Sequence, residues 1–129
     1  VAGILRTHGH RVLTPTCTGC GDREHLSNPE VGLETHITDI ENSIYWGEMD
    51  RFILVGHSYS GVTITGVADR MREQVERVIF FDAFAIPFFL KNSIDFSISP
   101  LLSSRATLQS LNPTPVISLS FLIFSNNIK

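Results

Sequence analysis

Two unbroken apolar runs, Phe52-Ile53-Leu54-Val55 and Val78-Ile79-Phe80-Phe81, restrict the fold of this chain more than any other feature. The first is bounded by Arg51 and Gly56 and the second ends at Asp82, as expected of strands buried on both faces of a sheet. Between them Gly61 to Arg72 has helical character and helical length. Before them Leu33, Ile37, Ile40 and Ile44 make one apolar stripe, with Glu34, Asp39 and Glu41 off it and Gly47 placed to close the helix. Further upstream, Val1 to Thr7 reads as the last turns of a helix ended by Gly9, and Arg11-Val12-Leu13-Thr14 as a short strand stopped by Pro15. Thr16 to Pro29 has the Thr, Gly, Asp and Asn content of a loop. Helix, strand, helix, strand, helix, strand, with helix-length crossovers, specifies the α/β class: a parallel sheet flanked by helices.

The totals fit that class. A chain of 129 residues holds one domain with a real core, and 43% hydrophobic with 18% charged content is that of a globular protein. A net charge of −3 offers no basic surplus for phosphates, so nucleic acid is not an expected partner. No apolar run approaches the roughly 20 residues of a membrane-spanning helix. The opening residues Val1-Ala2-Gly3-Ile4-Leu5-Arg6 form no readable signal peptide, and two cysteines only three apart make no disulfide framework, so a cytoplasmic setting is expected. Those opening residues include no starting Met, as though the chain began inside something already under way. Nothing in the sequence sets the oligomeric state.

Beyond Phe84 the character changes. No glycine follows Gly66, and after Asp82 the only charges are Lys91, Asp95, Arg105 and Lys129, among many serines. The chain therefore divides into a core, residues 1–87, and an atypical serine-rich, glycine-free tail, residues 88–129, read as an altered reading frame or a read-through, with a β-rich or lid-like continuation as the alternative. The sheet edge beyond the second run is expected to be open, or covered only by this tail. Val116 to Phe124 has high β-propensity and no charge, an aggregation hazard if it stays unpaired.

Chemistry concentrates at Gly56-His57-Ser58-Tyr59-Ser60-Gly61, between the first buried run and the following helix. A serine on a sharp strand-to-helix turn projects its hydroxyl above the sheet, provided that small residues flank it two positions away on each side. Gly56 meets that requirement; Ser60 meets it roughly, and Gly61 follows at once. The backbone N–H of Tyr59, at the helix start, would point toward a developing oxyanion. Asp82 ends the next strand on the edge where parallel sheets bind ligands, as a catalytic acid or as a pocket-edge hydrogen-bonding group.

These residues, with His10-Arg11-Val12-Leu13-Thr14-Pro15, Thr18-Gly19, Gly21-Asp22-Arg23, Gly32-Leu33-Glu34-Thr35-His36 and Phe81-Asp82-Ala83-Phe84, resemble the α/β-hydrolases. The nearest are bacterial relatives of plant hydroxynitrile lyases and small-ester methylesterases. The resemblance covers about residues 1–87 and gives the chain the look of a partial α/β-hydrolase fold. It implies a Ser–Asp–His triad, no metal and no organic cofactor, with a small carboxylic ester or related carbonyl compound as substrate. Ser58 carries over as nucleophile and Tyr59 as an oxyanion donor, while His57 matches the motif but not the base. All five histidines, His8, His10, His25, His36 and His57, lie at or before position 57, so the base that should follow Ser58 is not found. The expected result is a serine hydrolase that is truncated and inactive as it stands. The alternatives are a non-catalytic product or a hydroxynitrile-lyase-like parent using the serine in a proton relay.

Cys17-Thr18-Gly19-Cys20 has the spacing of a redox pair or half a zinc site. Glycines keep the segment a loop and no second pair exists, so two ordinary loop thiols, replaceable by serine at little cost, are expected. Tyr45 and Trp46, after the helix stripe, are expected to pack rather than to bind.

Overall fold

The structure is a computed structural model that describes residues 1–84, 95–98 and 121–125. In chain order the elements are α1 (Ala2–Thr7), β1 (Arg11–Leu13), a short 3-10 helix (Gly21–Leu26), α2 (Leu33–Trp46), β2 (Phe52–Ser58), α3 (Ser60–Arg70), β3 (Val75–Ala83), β4 (Asp95–Ile98) and β5 (Phe121–Ser125). The 3-10 helix lies where the sequence suggested only loop. The five strands form one sheet in the order β1-β5-β2-β3-β4.

The crossover through α3 brings β2 and β3 side by side and parallel, with Leu54 opposite Val78 and Gly56 opposite Phe80. β4 continues the parallel run beyond β3, so of the two expectations for that edge, open or covered by the tail, the structure has the second. The all-parallel expectation needs a correction at β5. This strand lies between β1 and β2 and runs antiparallel to both, with Leu13 and Leu54 each opposite Ile123. Because β1 and β2 do not pair directly, a one-strand gap separates them, and an antiparallel strand satisfies its backbone groups as fully as a parallel one. Residues 121–124 of the apolar stretch are thus paired; residues 116–120, and the rest of the tail apart from β4 and Ser125, lie outside the described residues.

Alternation along the strands then selects the core face. Phe52 and Leu54 of β2, Val78 and Phe80 of β3 and Ile123 of β5 share one buried cluster. α2 enters it with Ile37, Ile40 and Ile44, and α3 with Ile64, Val67 and Ala68. Val78 and Phe80 are buried, but Phe81 is 54% exposed, so the second run is not covered on both faces as its composition suggested. Among the described residues the two long helices pack on the Leu54 face, and Val55, Ile79 and Leu122 opposite are only partly covered. α1 has no buried residue and is tied to β1 by Arg6, which donates to the Val12 carbonyl at 2.9 Å.

Candidate active site

β1 and β2 both run antiparallel to β5, and β2 runs parallel to β3, so the chain leaves all three at one edge of the sheet. That edge gathers the loop after Leu13, the turn at Ser58 and the Asp82 region.

Ser58 ends β2 with φ +54°, the left-handed region that a residue with a side chain seldom adopts. The ladder to β3 slips between His57 and Ser58, Tyr59 is already helical at φ −56°, and α3 begins at Ser60. The N–H of Phe84 donates to the Ser58 carbonyl at 3.1 Å, tying the turn to the end of β3.

The sharpness of the turn sets the small-residue requirement. A Cβ on Gly56 would lie 2.7 Å from Ile64 Cδ1 and 2.9 Å from the Ser60 carbonyl oxygen, closer than real side chains come. One on Gly61 would run into the Phe84 carbonyl and lie 2.9 Å from the Ala83 Cβ. The second tight contact therefore falls at Gly61 rather than at position 60. Ser60 fits, fully buried, but its hydroxyl has no hydrogen-bond partner among the described residues.

The other expected site residues divide. The His57 ring is half-buried and tilted against Phe81 at 5.9 Å, directed to packing. Asp82 is exposed at the end of β3 with φ +43°, one position before Ala83, the register partner of Ser58. No hydrogen bond joins it to a histidine among the described residues. Nor does any histidine there bond to the Ser58 hydroxyl: His8 Nδ1 lies 2.8 Å from the Ile4 carbonyl, and His10 stacks edge-on to Phe124 at 5.7 Å. His36 is engaged elsewhere, as follows.

One constellation was not singled out from the sequence. Tyr59 Oη lies 3.1 Å from His36 Nδ1, and His36 Nε2 lies 3.1 Å from the Thr18 carbonyl. Thr18 donates its N–H and its hydroxyl to the two oxygens of Asp39, at 2.6 and 3.0 Å. Arg23 donates to Asp39 at 3.2 Å and to the Thr16 carbonyl at 2.9 Å. The one available signal was spacing: His36 and Asp39, three apart on α2, share a helix face off the apolar stripe. Burial pushes the Tyr59 phenol pKa up from its ordinary value, so it holds its proton more firmly.

Cys17 and Cys20 both lie in the loop, as expected, but Cys17 is not an ordinary loop thiol. It is 0% exposed within the core cluster, and burial first, then the Asp39 carboxylate, push its thiol up to about 12. Cys20 is less buried and raised in the same direction, again chiefly by desolvation. Among the described residues no three His, Cys, Asp or Glu side chains are grouped to hold a metal. Tyr45 and Trp46 also depart from expectation: they are 71% and 79% exposed and meet only edge to face at 5.2 Å. Ile44 is the last buried residue of the α2 stripe, and residues one and two further on turn away from it.

The sequence profile described as the alpha/beta hydrolase family matches residues 2–124. A carbendazim hydrolyzing esterase of Nocardioides sp. (strain SG-4G) is 55% identical over 83 residues, which are 64% of this chain and 34% of that protein. A 2-hydroxy-6-oxo-2,4-heptadienoate hydrolase of Pseudomonas putida is 27% identical over 85 residues, 66% of this chain and 31% of that protein. Among solved structures, an extracellular alpha/beta-hydrolase from a Paenibacillus species, described as sharing structural and functional homology with Tobacco Salicylic Acid Binding Protein 2, matches with a TM-score of 0.59. It is 35% identical and covers 66% of this chain and 34% of its own. The chain thus spans about a third of the length of these relatives. No helix of the described residues is long and apolar enough to cross a membrane, and the extracellular relative leaves the cytoplasmic expectation without support.

Proposed function

The chain belongs to the alpha/beta hydrolase family, and from that premise we propose that Ser58 is the nucleophile of a hydrolase acting on a small carboxylic ester or related carbonyl compound. The observation that carries this reading is the backbone of Ser58 itself. A left-handed serine between a buried strand and a helix costs on the order of 1–3 kcal/mol, and such strain concentrates where a side chain must be aimed. Gly56 and Gly61 leave no room for a side chain on either side of it, as so sharp a turn requires.

In the proposed reaction Ser58 Oγ bonds to the carbonyl carbon as its proton leaves to a base. The carbonyl oxygen becomes an oxyanion facing the Tyr59 N–H, the alkoxide departs with a proton, and water then cleaves the acyl-serine. Asp82, at the same sheet edge, is proposed as a pocket-edge group or triad acid. The base is the open term: no histidine reaches Ser58 among the described residues, and a serine of ordinary acidity attacks poorly. That observation also favours a second reading, a chain without catalysis of its own.

A fluorophosphonate probe separates the two. Slow labelling that disappears in Ser58→Ala is expected, because a triad serine deprived of its base loses about 10⁴ to 10⁶ in rate. Labelling that survives Ser58→Ala sinks the nucleophile assignment, and no labelling at all favours the non-catalytic reading. Fast stoichiometric labelling would mean that a base reaches Ser58 from outside the described residues or from another chain.

A further inference from the structure

We infer that His36 is a positioning residue for the Ser58 turn, joining Tyr59, the residue directly after that serine, to the Thr18 loop. The functional weight of this inference rests on Ser58 being the nucleophile; its geometry does not.

The protonation of the ring follows from its partners. A backbone carbonyl only accepts, so the nitrogen 3.1 Å from the Thr18 oxygen, Nε2, carries the hydrogen. A neutral ring then presents a lone pair at Nδ1, and the Tyr59 hydroxyl donates into it at 3.1 Å. The two rings meet edge-on, 89° apart with centroids 5.7 Å from one another, a favourable aromatic arrangement.

What makes this a brace rather than an isolated contact is the anchoring of its far end. Thr18 is held by both oxygens of Asp39, and Arg23 closes on Asp39 and on the Thr16 carbonyl. Asp39 and Arg23 alone would hold the loop against α2. The His36–Tyr59 contact adds nothing to that loop, and its only new connection is to the start of α3. There the chain has just passed through the left-handed Ser58, a conformation that persists only where its surroundings over-determine it. One restraint is the Phe84 N–H on the Ser58 carbonyl. The Tyr59 hydrogen bond to His36 supplies another, one residue further along the chain.

Three variants of the whole chain test this: His36→Leu, His36→Asn and Tyr59→Phe. Asn carries an oxygen near the position of the histidine Nδ1 and keeps the acceptor for Tyr59, whereas Leu keeps nothing. In the parent chain, long-range ¹⁵N couplings should show His36 protonated at Nε2. His36→Leu and Tyr59→Phe should shift the amide signals of Ser58, Tyr59 and Ser60 and speed their hydrogen exchange about tenfold, the equivalent of one hydrogen bond. Signals of Phe52 to Leu54 should stay in place, and His36→Asn should restore the parent pattern. A general loss of stability would instead raise exchange everywhere. Unmoved signals at 58–60 in both disruptive variants, a His36 ring protonated at Nδ1, or His36→Asn behaving as His36→Leu does would each overturn the inference. If His36→Leu does not fold, Tyr59→Phe decides, since it removes only a hydroxyl. A Ser58 that ignores the fluorophosphonate while these amides move would overturn the nucleophile reading and leave the brace standing.

Discussion

Two serines separated by one residue carry opposite kinds of cost. Ser58 is half-buried in an unfavourable backbone conformation; Ser60 has ordinary helical backbone and a buried hydroxyl without a partner. Ser60→Ala should therefore leave stability unchanged or raise it by about 1 kcal/mol in urea unfolding, since it removes an unsatisfied group and little volume. Gly56→Ala should cost about 1–3 kcal/mol, because its methyl meets backbone that cannot yield. Cys17 gives a third test. Iodoacetamide on the native chain should modify Cys20 well before Cys17, which should react only as the chain unfolds. Burial pushes the Cys17 thiol up to about 12 in the folded chain, from 9.0 for a free thiol. The folded state therefore keeps its proton where the unfolded state has lost it, and this contribution to stability is complete below pH 9 and falls away as pH rises toward 12. A urea midpoint that rises over that window in the parent chain, relative to Cys17→Ala, would contradict the assignment.

At the scale of elements, local pattern carried far. The Leu33–Ile44 stripe, the run at 52–55 and the glycine-flanked serine were legible because each signal lies within a few residues and matches a single backbone period. α2, β2, the Ser58 turn and α3 follow accordingly. What was not legible depended on distance in sequence. Nothing around residues 121–125 says that the gap between β1 and β2 is theirs, and pattern alone made them a hazard rather than a strand of the core. The Tyr59–His36–Thr18–Asp39 brace is hidden for the same reason, since its members come from α2, the loop after β1 and the turn after β2. The left-handed backbone of Ser58 has no sequence mark beyond its neighbours' small size. β5 can be tested directly. Ile123→Asn puts a polar side chain into a site 1% exposed and should cost about 2–5 kcal/mol, whereas Ile4→Asn on the exposed α1 should cost almost nothing. Equal effects on the urea midpoint would mean that β5 is not seated as described.

Across the whole molecule, the described residues are strongest along the line from α2 and α3 through β2 and β3, and thinnest at β1. Among the described residues that strand has β5 as its one neighbour in the sheet, and β5 is also what joins it to β2. The order of elements in space is therefore not the order in which they are made. Residues 11–13 and 52–58 emerge from the ribosome long before residues 121–125, and must wait with facing edges unfilled until the strand between them arrives. Loop closure over such a separation is slow, and an unfilled pair of edges invites any other strand at hand. For this chain the hazard belongs to synthesis rather than to the finished fold: the keystone of the sheet leaves the ribosome only after the strands on both sides of it.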